Sequence, residues 1–182
     1  LAGGQSSRMG RDKASLLWGG QTLLERARSQ LSAAGAYRVV ICGRAGMQDG
    51  VADAQGGQGP LSALAQLSSH LEDGIHLIVP VDMPLLSVAL LQHLRLVDVP
   101  CAAFESHPLP MRLQLGPQVR EVLETLSRLP DSQRSLRALQ RALDATLLDT
   151  LPWRSQLRGC NTPEEWEALR ACASCPPSVQ SN

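Results

Sequence analysis

Hydrophobic positions along the chain repeat with two different periods, which predict alternating helices and strands. Apolar residues at helical spacing between Thr22 and Ala34 share one face, and Gly35 supplies a C-terminal stop. Continuous apolar runs at 38–42 and 75–81 are typical of strands buried on both faces. The same reasoning predicts helices at 60–69, 87–94, 119–126, 135–143 and from Asn161 to about 173, and strands at 101–104 and 145–149.

This alternation favours an α/β fold with a parallel sheet covered by helices on both sides, because parallel strands need crossover connections. Ligands bind such sheets beyond the carboxyl ends of the strands. Residues 43–59 are rich in Gly, Gln and Asp and are expected to form an irregular loop. Residues 174–182 are expected to be a disordered tail, so the pattern predicts one domain over residues 1–173.

The opening stretch LAGGQSSRMGRDK combines glycines with basic side chains. Glycines permit close backbone approach, so that successive N–H groups can converge on the oxygens of a phosphate. Arg8, Arg11 and Lys13 add full positive charges. A plain surface loop would account for the Gly3-Gly4 pair but not for the spacing of Arg8, Asp12 and Lys13. The stretch therefore predicts a phosphate-binding loop.

Two better-known phosphate-binding patterns do not fit this stretch. A P-loop requires Gly-Lys-Ser/Thr, whereas Asp12 precedes Lys13 and Ala14 follows it. The dinucleotide fingerprint Gly-x-Gly-x-x-Gly is also missing, because Gly3-Gly4 is followed only by Gly10.

A single carboxylate, Asp82, stands where the apolar run 75–81 gives way to Met83-Pro84. Mg²⁺ prefers hard oxygen ligands and is usually held by one or two carboxylates together with substrate phosphates. A strand-end aspartate can instead serve only as a turn cap. Because the phosphate-binding loop is expected at the same edge of the sheet, Asp82 is predicted to bind the metal.

Charge and cysteine content exclude several classes of protein. Seventeen basic and seventeen acidic residues balance, so the broad basic field of a nucleic-acid-binding protein is missing. No apolar run approaches the roughly 18 residues of a membrane helix, and a cytoplasmic location is expected. Five cysteines, an odd number, favour reduced thiols, with Cys42 and Cys101 as small buried side chains.

The opening stretch resembles the signature loop of the molybdenum cofactor guanylyltransferase family, Leu-Ala-Gly-Gly-x-Ser-x-Arg-Met-Gly-x-Asp-Lys. The resemblance implies a Rossmann-like, three-layer nucleotidyltransferase fold with a mostly parallel sheet. In that family the loop follows the first strand and wraps the phosphates of GTP. The sequence begins inside this motif, so its natural start is expected to lie further upstream.

Other elements of the family are also found. Asp82 matches its Mg²⁺-binding aspartate, Asp53 resembles its second acidic position, and Gly59-Pro60-Leu61 resembles an element near the nucleotide. His107-Pro108-Leu109 echoes a His-Pro element, and the asparagine of Asn161-Thr162-Pro163-Glu164-Glu165 would lie toward the pterin. Gly59 can equally open an ordinary helix, and Asn161 can be a simple N-cap. The resemblance implies binding roles for Leu1, Ala2, Gly3, Gly4, Lys13, Asp53, Gly59, Asp82 and Asn161.

The implied reaction is Mg²⁺-dependent transfer of GMP from GTP to the terminal phosphate of molybdopterin, with release of pyrophosphate. An ionised phosphate nucleophile needs little help from a general base, so Lys13, Arg8 and Asp82 are expected to act by positioning and charge neutralisation. The residues alone leave three alternatives open: CTP as the donor, another phosphorylated acceptor, or a non-catalytic nucleotide-binding module. Transient docking to cofactor-receiving enzymes is a further expectation.

Overall fold

The computed structural model describes residues 1–2, 12–51 and 59–174, with side chains as far as residue 171. Within these ranges the strands are β1 Leu17–Trp18, β2 Gln21–Thr22, β3 Ile41–Cys42, β4 Gly50–Val51, β5 Gly74–Ile78, β6 Cys101–Phe104, β7 His107–Leu115 and β8 Thr146–Leu148. The helices are α1 Leu23–Ala33, α2 Gly59–Ser68, α3 Val88–Leu96, α4 Pro117–Ser127, α5 Leu136–Ala142 and α6 Pro163–Ser174. Two 3₁₀ helices cover Lys13–Ser15 and Leu151–Trp153.

The predicted helices are confirmed, and their ends follow from residues that cap them. Thr22 and Glu25 form a reciprocal capping box at the start of α1. At the other end of α1, Gly35 has a φ of +96°, a left-handed conformation that glycine adopts without strain. Ser87 and Ser135 cap α3 and α5 through their hydroxyl groups.

The larger described sheet has the strand order β5-β7-β6-β8 and is mixed. Strand β7 runs antiparallel to both β5 and β6, whereas β8 runs parallel to β6. Three of these four strands therefore share one direction, and β3 and β4 form a second, parallel pair. The prediction of an α/β fold with a mostly parallel sheet is confirmed, and β7 is the strand that runs the other way.

Sequence reasoning missed β7 because prolines interrupt it. Proline lacks the N–H that a strand ladder needs, so Pro108 and Pro110 argue against a central strand. In the structure, Met111 pairs with Ala103 while His107 pairs with Phe104. The two prolines lie in the register irregularity between these pairs, where the ladder is already interrupted.

The expected irregular loop at 43–59 is partly wrong. Gly50 and Val51 form β4 beside β3, and Gly59 already belongs to α2. A Cβ at Gly50 would collide with the carbonyl oxygen of Arg44, so glycine is required at this tight turn. Residues 52–58 and the expected tail at 175–182 lie outside the described residues, and Ser174 still belongs to α6.

The backbone at Leu1 and Ala2 joins the two sheets. The nitrogen of Leu1 donates to the carbonyl of Val79 at 2.7 Å, and the N–H of Val81 donates to Leu1 at 3.1 Å. The N–H of Ala2 donates to the carbonyl of Cys42 at 3.0 Å. This is the hydrogen-bond pattern of parallel strands. The chain therefore leaves Ala2 at the same edge as Asp82, as the sequence predicts.

Helices cover both faces of the larger sheet and bury its side chains. On one face the core is formed with α2, α4 and α5 around Met111, Leu113 and Leu123. On the other face it is formed with α1 and α3 around Leu90, Leu94 and Phe104. No helix among the described residues is both long enough and apolar enough to cross a membrane.

Candidate functional site

Three predicted site residues meet at one point of the structure. The Lys13 ammonium nitrogen lies 2.9 Å from Oδ2 of Asp82 and 2.7 Å from the side-chain oxygen of Asn161. The side chains of Lys13 and Asp82 are 16% and 21% exposed. Water therefore screens this ion pair only partly, and its groups stay accessible to a ligand.

Lys13 opens the short 3₁₀ helix Lys13–Ser15, which Asp12 caps. Oδ1 of Asp12 accepts a hydrogen bond from the N–H of Ala14 at 3.2 Å. The same oxygen pairs with the guanidinium of Arg44, which follows β3. The hydrogen bond from Arg44 holds the pKa of Asp12 below its usual value, so this cap stays ionised.

Asp82 is held through its main chain. Its carbonyl oxygen accepts from the backbone N–H of Cys160 at 2.9 Å and from the Cys160 thiol at 3.2 Å. Burial raises the pKa of that thiol to about 11, and the nearby Asp82 carboxylate adds to the shift, so the thiol keeps its proton. The segment that carries Asn161 is thereby joined to the segment that carries Asp82.

The residue that caps α6 is Thr162 rather than Asn161. The Thr162 hydroxyl accepts from the N–H of Glu165 at 3.2 Å, and the Glu165 carboxylate accepts from the N–H groups of Asn161 at 2.6 Å and Thr162 at 3.3 Å. The simple N-cap interpretation of Asn161 is therefore wrong. Its amide oxygen accepts from Lys13 instead.

Lys13 is the only lysine in the 182-residue sequence, whose other sixteen basic side chains are arginines. Lysine presents a compact charge with three rotatable donors, whereas arginine presents a rigid planar fork. This arginine-rich sequence thus has its single lysine side chain at the candidate site. Counting basic residue types would have revealed this signal in the sequence.

The remaining predicted residues divide into two groups. Gly3, Gly4, Arg8 and Asp53 lie outside the described residues. Gly59 is described and opens α2 with a φ of +85°, which explains the glycine by backbone conformation alone. Arg44 and Cys160, which support the site, were not identified from the sequence, because neither lies in a motif that predicts their contacts.

An apolar cavity of about 310 Å³ lies between β5 and residues 36–42, away from these polar side chains. Leu1, Leu64, Ile78 and Val79 are among its lining residues, whereas Lys13, Asp82 and Asn161 are not. The candidate site is therefore the polar cluster and not this cavity.

Sequence comparison relates the chain to known nucleotidyltransferases. Residues 1–147 match the MobA-like NTP transferase domain. A molybdenum cofactor guanylyltransferase from Xanthomonas euvesicatoria pv. vesicatoria is 46% identical over 172 residues, which cover 93% of this chain and 91% of the relative. The chain belongs to the molybdenum cofactor guanylyltransferase family. Membership in this family confirms the resemblance of its opening loop and makes the protein a nucleotidyltransferase.

Solved structures of distant sequence share the fold of this family member. Molybdopterin-guanine dinucleotide biosynthesis protein A from Archaeoglobus fulgidus aligns with a TM-score of 0.72 at 17% identity, covering 96% of this chain and 97% of its own. A 2-C-methyl-D-erythritol 4-phosphate cytidylyltransferase from Thermus thermophilus aligns with a TM-score of 0.65 at 18% identity, covering 90% and 94%. The Rossmann-like α/β prediction is thus confirmed, and the fold alone does not select the base.

Proposed function

We propose that the protein transfers GMP from GTP to the terminal phosphate of molybdopterin and releases pyrophosphate. The observation that carries the proposal is the meeting of Lys13, Asp82 and Asn161 at one sheet edge in a member of this family. The proposed enzyme uses residues 1–173 as a single nucleotidyltransferase domain. Its acceptor assignment comes from the 46% identical molybdenum cofactor guanylyltransferase.

The side-chain oxygens of Asp82 and Asn161 are ligands of the kind that a divalent cation prefers. Asp82 and Asn161 each direct one side-chain oxygen at the same positive charge, the Lys13 ammonium. No group of three or more His, Cys, Asp or Glu side chains suited to a metal exists among the described residues, so the remaining ligands would be substrate oxygens and water. Asp82 would hold Mg²⁺, with Asn161 beside it. A bound Mg²⁺ neutralises phosphate charge and orients the phosphate oxygens.

In the proposed reaction, an oxygen of the acceptor phosphate attacks the α-phosphorus of GTP. A bond forms between these two atoms, the bond from the α-phosphorus to the bridging oxygen breaks, and pyrophosphate leaves with the electron pair. The attacking phosphate is already ionised, so no general base is needed. Lys13 stabilises the negative charge that develops on the leaving group, and Arg8 is proposed to assist it.

The nucleotide is proposed to lie along the edge where the chain leaves Ala2. The backbone groups of Leu1 and the N–H of Ala2 are already paired with neighbouring strands, so Leu1 would fix the start of the loop and Ala2 would offer its carbonyl. Gly3 and Gly4 would offer backbone groups, and Asp53 and Gly59 would lie on the side of the site that binds the nucleotide. Asn161 would face the acceptor. The bond from Lys13 to Asn161 supports this arrangement, because it links the donor and acceptor sides through one ammonium.

A cytidylyl transfer is the alternative that the sequence leaves open, and the fold does not exclude it because a cytidylyltransferase shares it. A site that hydrogen-bonds one base can reject another by a large factor. Pyrophosphate release should therefore be compared for GTP and CTP with molybdopterin and Mg²⁺. Faster release from CTP would overturn the guanylyl assignment, and tight GTP binding without any release would indicate a non-catalytic module.

The variant Asp82→Asn tests the role of this carboxylate. Loss of one contact to the transferring group commonly costs a hundredfold to a thousandfold in rate, so we expect turnover to fall by about that factor with the fold retained. Asp98→Asn is the matched control, because Asp98 is exposed after α3. Near-normal transfer by Asp82→Asn would remove Asp82 from its proposed role.

A further inference from the structure

We infer that Arg44 is a positioning residue that acts through Asp12 to hold Lys13 at the site. The pairing of Arg44 with Asp12 and the cap that Asp12 places on the Lys13 turn carry this inference. The effect on turnover rests on the proposed function, whereas the positioning of Lys13 does not.

Arg44 is anchored at its backbone. The N–H groups of Gly43 and Arg44 both donate to the carbonyl of Val51, at 2.9 and 3.3 Å, which joins them to β4. The carbonyl of Arg44 accepts from the N–H of Met47 at 3.3 Å, and the N–H of Gly50 donates to the carbonyl of Met47 at 2.9 Å, which closes this turn. The guanidinium thus extends from a fixed base.

Asp12 transmits this fixed position to Lys13. Its Oδ1 accepts from Arg44 and from the N–H of Ala14, while its carbonyl accepts from the N–H and hydroxyl of Ser15 at 3.2 and 2.8 Å. A three-residue 3₁₀ helix has little stability of its own, so its conformation depends on such end contacts. Lys13 is the first residue of that helix.

A direct contact between Arg44 and the nucleotide is the competing role. The Nε atom of Arg44 is buried and has no hydrogen-bond partner among the described residues, so the guanidinium retains at least one donor for such a contact. Its Nη2 group is already bonded to Asp12, which favours positioning. The two roles predict different effects of removing Arg44 when the Asp12 side chain is already absent. A positioning residue then has no further effect on turnover, whereas a residue that contacts the nucleotide does.

The single lysine makes Lys13 directly measurable by amine acylation of the free protein. The modified peptide, quantified by mass spectrometry, separates Lys13 from the terminal amine. We expect Arg44→Ala and Asp12→Ala each to increase the rate of Lys13 acylation about threefold to tenfold, the size of a lost cap or ion pair. The double variant should acylate no faster than the faster single variant. Arg154→Ala, at an exposed arginine, is the control and should leave the rate unchanged.

Turnover supplies the second measurement. Arg44→Ala should lower kcat for pyrophosphate release by about the same factor with little change in KM for GTP, and Arg44→Lys should restore part of the loss. An unchanged acylation rate in Arg44→Ala would overturn the inference, as would a further loss of kcat on adding Arg44→Ala to Asp12→Ala. If no variant or parent releases pyrophosphate from GTP, the proposed function fails while the acylation result still tests the positioning.

Discussion

The Lys13 ammonium and the Asp82 carboxylate, which come from positions 69 residues apart, form an ion pair with a nitrogen-to-oxygen distance of 2.9 Å. The same ammonium also donates to Asn161. Oδ2 of Asp82 and the side-chain oxygen of Asn161 are therefore already bonded to a positive charge of the protein. A metal that binds these two oxygens must compete with Lys13 for them.

This competition predicts that removing the Lys13 ammonium raises metal affinity while it lowers the rate of the reaction. Lys13→Met should raise the affinity for Mn²⁺ in the absence of nucleotide by about fivefold, because it removes the charge that occupies the carboxylate. The same variant should lose most pyrophosphate release. Electron paramagnetic resonance of free Mn²⁺ measures the affinity, and Lys13→Arg, which keeps the charge, is the control. Equal Mn²⁺ affinity in the parent and Lys13→Met would show that the ammonium does not compete.

Substitutions at the neighbouring residues Asn161 and Thr162 should have different effects, one on turnover and the other on the free energy of unfolding. Thr162→Ala should lower the free energy of unfolding by about 1 kcal/mol, because it removes the cap of α6. Asn161→Ala should change that free energy by less than about 0.5 kcal/mol but reduce turnover, because its amide faces Lys13. Urea denaturation and pyrophosphate release measure the two effects. The reverse assignment, with Asn161→Ala the less stable variant, would restore Asn161 as the cap.

Much of the fold follows from local features of the sequence. Helix α1 has an amphipathic face between a capping Thr22 and a stopping Gly35, and all three signals agree. Strand β7 is different, because its prolines are compatible with a strand only where the pairing with β6 is irregular. That irregularity is a property of two strands together, and a pattern within one strand does not contain it.

The same distinction applies to the site. That Lys13 and Asp82 lie at the same edge of the sheet could be predicted, because each belongs to a motif at the end of a strand. Arg44 and Cys160 act through contacts with Asp12 and the Asp82 carbonyl, across gaps of 32 and 78 residues. An arginine after a strand or a cysteine before a helix has many possible partners in the sequence. Its actual partner is known only from the folded structure.

Substitution of two buried cysteines, Cys160 and Cys101, should affect stability alike but turnover differently. Cys160→Ala and Cys101→Ala each remove a buried sulfur, and each should lower the free energy of unfolding by about 1 to 2 kcal/mol. Cys160 alone of this pair donates to the carbonyl of Asp82, so its removal should also reduce turnover. Cys101, on β6, is the matched control. Equal activity in the two variants would show that the thiol bond does not position Asp82.

Alkaline pH should destabilise the protein through these same thiols. Burial raises the pKa of both Cys101 and Cys160 from 9.0 to about 11. A raised thiol pKa means that the folded state favours the neutral form, while the unfolded chain ionises first. The stabilising contribution is therefore complete below about pH 9 and is lost as pH rises toward 11. Urea denaturation between pH 8 and 10 should show a shallower decline in the double variant Cys101→Ala/Cys160→Ala than in the parent, and parallel declines would show that thiol ionisation contributes nothing.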